Sequence, residues 1–250
     1  MSVFDEYANK YETIKMERRD GILQITLHTD GGTLQWGMKP HHELPRAFYD
    51  IGDDPENRVV IMTGAGEAFS GPRATPGSSV TATPQSWAML YRDAKQMLMN
   101  LLDIEAPMIS AINGPALRHS EIPLLCDIVL AADDVVFQDS AHFVNGLVPG
   151  DGMHIVYPLL LGPNRGRYFL LTGQEIGAQQ ALELGLVSEI MPREKLLSRA
   201  WELAEQLTKQ SPVVTRFSRV AITQLLKQQM LDLLGYGLVL EGLGVVDNEG

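Results

Sequence analysis

A single cysteine, Cys126, stands among the 250 residues, so no internal disulfide can form, and its apolar neighbours mark it as a small buried hydrophobe. Positive charge is also scarce. Twenty Lys and Arg face 31 Asp and Glu, a net charge of −11 that argues against nucleic acid or an anionic membrane surface as partner. The longest uninterrupted apolar runs, such as Tyr157 to Leu161, fall far short of a bilayer span, and the acids from Asp5 onward leave no apolar leader core. These deficits predict a soluble cytoplasmic protein in a reducing compartment. Neither a G-x-G-x-x-G fingerprint nor a P-loop is present, and Gly64-Ala65-Gly66 is too short to cradle phosphates. His28, His41, His42 and His154 have no spacing with Cys, Asp or Glu that predicts a metal site, and the adjacent His41 and His42 would leave a helix from different faces. No metal and no cofactor is expected. Internal repeats, low-complexity tracts and interdomain linkers are missing as well.

What remains is a chain with 45% hydrophobic residues, enough for one core. Residues 12 to 18 and 22 to 28 alternate apolar and polar around Asp20-Gly21, which predicts a hairpin. An amphipathic helix over 41 to 51, a buried strand over 58 to 63 and a Gly, Pro, Ser and Thr-rich loop from Gly71 to Pro84 follow. Trp87 to Asp103 has helical spacing. Strands are expected at Met108 to Ile112 and Asp127 to Ala131, with a helix beginning near Ser120 between them. Helical segments then occupy His154 to Leu161, Asn164 to Thr172, Ala178 to Leu184, Arg193 to Gln210 and the stretch from Pro212 onward. The alternation of strands and helices predicts an α/β layered fold.

Several segments carry a pattern in register. They are Val59-Val60-Ile61-Met62-Thr63-Gly64 with Phe69-Ser70-Gly71, the run from Ala111 to Asp127, Asp127 to Ala132, Leu147 to Gly152, Leu171-Thr172-Gly173, Ala178 with Ala181, and Gly185-Leu186-Val187. Together they resemble the crotonase (enoyl-CoA hydratase/isomerase) superfamily over most of the chain. The resemblance implies a crotonase-like spiral of ββα units over residues 1–211 and a helical region over 212–250 that serves oligomerisation and the active site. It also implies assembly as a homotrimer or a dimer of trimers. Departures accompany the matches. Leu117, Arg118 and His119 stand where the family's glycines let backbone amides reach a thioester oxygen, and Pro72 and Ala74 replace the Gly and Asp of its F-x-x-G-x-D motif. Glu121 matches the first of the hydratases' two glutamates, but the second position falls at Ala141-His142.

The departures are similar to those of a branch that handles no coenzyme A, the β-diketone hydrolases of the 6-oxocamphor hydrolase type. Trp36, His119, His142, Asp151 and Glu241 each match that branch's functional pattern. The resemblance implies hydrolysis of the C–C bond between the carbonyls of a cyclic or bicyclic β-diketone, a retro-Claisen cleavage to a keto acid. Its substrates would be a small apolar diketone and water. The chemistry needs a general base for water and donors for a developing enolate. His142 is the candidate base, aligned by Asp151 on its other nitrogen, although Asp151 also suits a cap of the helix near His154. Trp36 and His119 are the candidate N–H donors and substrate contacts. Glu241 lies in an apolar run where burial would raise its pKa for water activation, unless that face is exposed. Glu121 is expected to serve the helix start. Two other readings stay open: an acyl-CoA hydratase or isomerase using Glu121, and a catalytically silent oligomeric binding protein.

Overall fold

The computed structural model describes residues 2–71 and 83–248. A short helix α1 (Val3–Tyr7) precedes the hairpin β1 (Ile14–Arg19) and β2 (Ile22–Leu27). Asp20 and Gly21 have φ of 52° and 77°, the left-handed pair that a two-residue hairpin turn requires. Helix α2 (Met38–Asp53), strand β3 (Val59–Gly64), helix α3 (Pro84–Asp103), strand β4 (Met108–Ile112), the single turn α4 (Glu121–Leu124) and strand β5 (Ile128–Ala132) follow. The expected loop over 71 to 84 has its centre, including Pro72 and Ala74, outside the described residues. Thr83 caps α3 by accepting from the Ser86 amide at 3.1 Å, while the Ser86 hydroxyl donates back to the Thr83 carbonyl at 3.0 Å.

Beyond β6 (Val136–Phe137) come α5 (Met153–Leu161), α6 (Pro163–Thr172), β7 (Ile176–Gly177), α7 (Ala178–Leu184), β8 (Glu189–Met191), α8 (Arg193–Leu207) and the long α9 (Pro212–Asn248). Six strands form one sheet in the order β1-β2-β3-β4-β5-β8, antiparallel only at the hairpin. Its central strands are buried on both faces, which is why they read as continuous apolar runs. One face packs on α8 through Leu196, Ala200 and Ala204, and the other on the larger core that includes Leu44, Phe48, Leu98 and Leu101.

A second ladder crosses the spiral and positions the site. It consists of single parallel bridges, Leu34 to Ser70, Ser70 to Ala116 and Ala116 to Phe137, and continues as the pair β6 and β7. Each turn of the spiral adds one residue to it. Trp36 follows Leu34 by two residues, His119 follows Ala116 by three, and Asp139 follows Phe137 by two. Successive turns therefore deliver their side chains to one place.

Helix α9 packs on α3 and α5 and buries the stripe Thr215, Arg219, Thr223, Met230, Leu234, Leu238 and Glu241. Its backbone lies directly on the turn before α5. A Cβ on Gly150 would stand 2.1 Å from the Gly237 carbonyl oxygen, so only glycine permits the approach that sets Glu241 beside Asp151. By length and apolarity α9 also reaches what a membrane crossing needs, with a hydropathy of 1.3 over its best window, a third of which is buried. Polar residues interrupt its apolar ones, so no uninterrupted apolar run marks the helix in the sequence.

Candidate active site

All five side chains singled out by the sequence lie in one buried cluster. Trp36 comes from the segment after β2, His119 from the turn before α4, His142 from the start of a 3-10 turn, Asp151 from the turn before α5, and Glu241 from α9. The Trp36 and His119 rings have centroids 4.0 Å apart. His119 adopts a φ of 49°, left-handed backbone where the family pattern has glycine, at a cost of about 1–2 kcal/mol for an L-residue. Asp151 lies between two imidazoles, with Oδ2 at 3.2 Å from His119 Nδ1 and 3.3 Å from His142 Nε2. Glu241 Oε1 is 3.6 Å from the same His142 nitrogen, so this helix supplies Glu241 to its own chain's site.

Three residues take places that the sequence reading did not give them. Asp139, not Asp151, holds the far nitrogen of His142: its Oδ1 is 2.7 Å from Nδ1 and also accepts from the backbone amides of Ala141 and His142. Asp151 is on the reactive side of the ring instead. Glu121 is fully buried and bonds His119 Nδ1 at 3.0 Å, so it is part of the cluster and not merely a helix start. His41 packs edge-on against both Trp36 and His119, at 5.2 and 4.9 Å, and its Nδ1 bonds the Gly37 carbonyl at 2.7 Å. Its neighbour His42 turns to Asp93, in line with their departure from different faces of the helix.

Four carboxyls and three imidazoles crowd together in the interior, and this decides their charges. Burial pushes the His142 imidazole down, but Asp151, Asp139 and Glu241 together outweigh it and hold the ring well above its ordinary value. Burial opposes ionisation of Asp151 too, yet the His142 and His119 imidazoles keep its carboxyl below the usual carboxylate range. Burial dominates at Glu241, raising it to about 7 against the pull of His142, and at Glu121, raised well above the carboxylate range with Asp151 adding to the effect. His41 is pushed down to about 4 by burial and by His119, and burial lowers His119 as well. These shifts favour the charged form at His142 and the neutral form at His41 and His119.

Several polar atoms here lack partners. The Trp36 indole N–H, Glu121 Oε2, both Asp151 oxygens and Glu241 Oε2 are buried without an aligned hydrogen bond. Such orphans cost about 1–3 kcal/mol each unless something else binds them, and a cluster of them marks a place made for a ligand. Two donor sets, His119 with Glu121 and Asp151 and His142 with Asp151 and Glu241, each lie within 4.8 Å, close enough to surround a cation. In both sets the imidazoles and carboxyls engage one another. The Arg118 amide, at a position where the family pattern has glycine, is met by the Ser70 hydroxyl at 3.4 Å.

Residues 17–233 match the family model described as enoyl-CoA hydratase/isomerase. The chain belongs to this family. Among curated relatives, carnitinyl-CoA dehydratase of Shigella flexneri is 30% identical over 213 residues, covering 81% of this chain and 77% of its own. Hydroxycinnamoyl-CoA hydratase-lyase of Pseudomonas fluorescens is 30% identical over 219 residues, covering 85% and 79%. Among solved structures, a β-diketone hydrolase from the cyanobacterium Anabaena sp. PCC 7120, bound to (S)-3-oxocyclohexyl acetic acid, superposes with a TM-score of 0.96 at 48% identity over 98% of both chains. An enoyl-CoA hydratase/isomerase from Mycobacterium paratuberculosis gives 0.87 at 26% identity over 94% of both chains. The crotonase-like fold, with a mainly parallel sheet and a long C-terminal helix, is thus shared with enzymes.

Proposed function

We propose that this protein is a hydrolase that cleaves the C–C bond between the two carbonyls of a small cyclic or bicyclic β-diketone, releasing a keto acid. One observation carries the reading: Trp36, with its indole N–H unspent, packs its ring against His119 beside an imidazole, His142, that has carboxylates at both nitrogens. The similarity to the Anabaena β-diketone hydrolase supports it. The acid bound to that neighbour fits the same chemistry. Joining its carboxyl carbon to the far ring carbon beside the ketone, with loss of water, gives a bicyclic β-diketone.

In this reading water attacks one carbonyl carbon and gives up a proton, the C–C bond breaks, and its electron pair passes to the second carbonyl as an enolate. Trp36 and His119 donate N–H bonds to that enolate oxygen in place of main-chain amides. Glu241 takes the water proton. His142 is less suited to that step alone, because a neutral ring would turn a lone pair toward one of its carboxylates. As an imidazolium it supplies the proton that the carbanion carbon receives, then recovers one from Glu241. Asp139 and Asp151 hold the ring in place. Atoms balance with water as the only co-reactant.

Incubation with cyclic and bicyclic β-diketones in water enriched in oxygen-18 tests this. One labelled oxygen is expected in the acid product, and His142→Ala is expected to lose about 100-fold or more in kcat. Wild-type turnover by His142→Ala would remove that residue from the mechanism. A second reading, acyl-CoA hydration or isomerisation, is favoured by the curated relatives. Turnover of crotonyl-CoA with none of any diketone would establish it.

A further inference from the structure

Glu121 occupies the position at which the family's hydratases keep a glutamate for activating water. In this chain the glutamate is fully buried and engaged with His119. Oε1 meets His119 Nδ1 at 3.0 Å, Oε2 has no partner, and its Cγ lies 3.5 Å from where a Cβ on Gly152 would stand. The adjacent Ser120 hydroxyl is spent on Tyr157 at 2.7 Å. We propose that Glu121 is a neutral acid that donates its proton to His119 Nδ1, fixing the ring with its hydrogen on Nε2 so that His119 presents an N–H to the substrate oxygen. Glu121 is then a positioning residue, and the proposal deepens the diketone reading on which it rests.

His119 has a single hydrogen when neutral, and the contact at Nδ1 decides where it sits. With Nδ1 protonated the ring would give its hydrogen to Glu121. Nε2 would then turn a lone pair toward the enolate, which repels it. A carboxylate at Glu121 would favour that arrangement, but burial in an apolar wall beside the Asp151 anion opposes the charge. Once Glu121 is a neutral acid, its own hydrogen needs an acceptor. On Oε2 it would find none, since that oxygen is orphaned, whereas on Oε1 it faces Nδ1 directly. Donation by Glu121 therefore satisfies the acid and leaves only a carbonyl-type oxygen unpaired, the less costly orphan. Asp151 also approaches Nδ1, at 3.2 Å, and its 3.3 Å approach to His142 is likewise not an aligned hydrogen bond; the His142 imidazolium offsets the Asp151 charge that the Nδ1 lone pair faces.

The consequence reaches Trp36. With the hydrogen on Nε2, the imidazole adds an N–H donor to the unpartnered indole N–H of Trp36, on a ring 4.0 Å away. That pair reproduces with side chains what the family builds from two main-chain amides.

Glu121→Gln and Glu121→Leu separate this role from catalysis by the carboxylate. A glutamine amide also donates to Nδ1, so Glu121→Gln is expected to keep kcat within about tenfold. Glu121→Leu removes the donor and is expected to lose about 100-fold in kcat with little change in KM, the scale of one lost oxyanion donor. Loss of activity in both variants alike would overturn the proposal. Nitrogen-15 histidine spectra of the unmodified protein near pH 7.5, assigned with His119→Gln, provide a readout independent of folding defects and of substrate. A protonated Nε2 on His119 is expected, and a protonated Nδ1 would overturn the proposal. Protonated Nε2 without turnover of any diketone would sink the diketone reading and leave the tautomer assignment standing.

Discussion

At the scale of single residues, the charge on His142 is set by company more than by burial. Carboxylates at both nitrogens make the imidazolium the stable form, and the group left to accept a proton near neutrality is Glu241, raised to about 7. A base must be ionised to work, so below about pH 7 the hydrolysis rate should fall roughly tenfold per pH unit, and above it level off. Glu241→Gln should abolish that ascending limb together with most of the rate. A pH profile of kcat from about 5.5 to 8.5 checks this, and a flat wild-type profile would rule Glu241 out as base. Much of this site could be read from residue types in register, because Trp36, His119, His142, Asp151 and Glu241 match the β-diketone hydrolase pattern together, with His119 at a family glycine and His142 where the hydratases keep their second glutamate. Asp139 was missed because its hold on His142 comes from a loop turn that no helical or strand period announces. His41 has no metal-ligand spacing, and its place depends on edge-on ring contacts with Trp36 and His119 that spacing does not reveal.

Among the elements, the strands that are buried on both faces were the most legible, since β3, β4 and β5 are apolar but for Thr63 and Ser110. The expected helix ends were off by a few residues, as with α2, which begins at Met38, and α8, which stops at Leu207. Strand β8 escaped notice: three half-buried residues carry too little pattern, and only pairing with β5 makes them a strand. The single-residue bridges that align Trp36, His119 and Asp139 are invisible locally for the same reason. What fixes α9 on this frame is Arg219, whose guanidinium is buried against Asp127 at 2.8 Å and donates to the Ile104 carbonyl near the end of α3. Asp127 in turn accepts from the Met108 amide at 2.7 Å, tying the helix to β4. Arg219→Met keeps the apolar stem but strands the Asp127 charge, so unfolding in urea should show a loss of about 3 kcal/mol. Asp127→Asn in the same chain should recover part of it, and an unchanged midpoint in the single variant would mean that the pair contributes nothing net.

For the whole molecule, the telling feature is apolar surface that the single chain leaves uncovered. Phe217, Ile222, Leu225, Tyr236 and Leu243 stand out along the outer side of α9, and Phe143, Val144, Tyr168 and Leu171 form another apolar set on the 3-10 turn and α6. A chain of net charge −11 that exposes this much apolar area has need of a partner. We propose that the partner is a second copy of the chain, closing as a trimer or a dimer of trimers, because two unlike patches suit a head-to-tail contact that closes into a ring. The competing occupant is a lipid bilayer, since α9 has the length and apolarity for one. Against it stand Arg219 and Glu241, each buried against the body of the protein by its inner face. Light scattering after gel filtration should give three or six times the 27.6 kDa of the chain. Ile222→Lys with Leu225→Glu should lower that mass toward one chain and should slow diketone hydrolysis only if assembly also steadies the 3-10 turn that begins at His142. A monomeric wild-type protein that floats with phosphatidylcholine vesicles would replace the self-association proposal with the bilayer one.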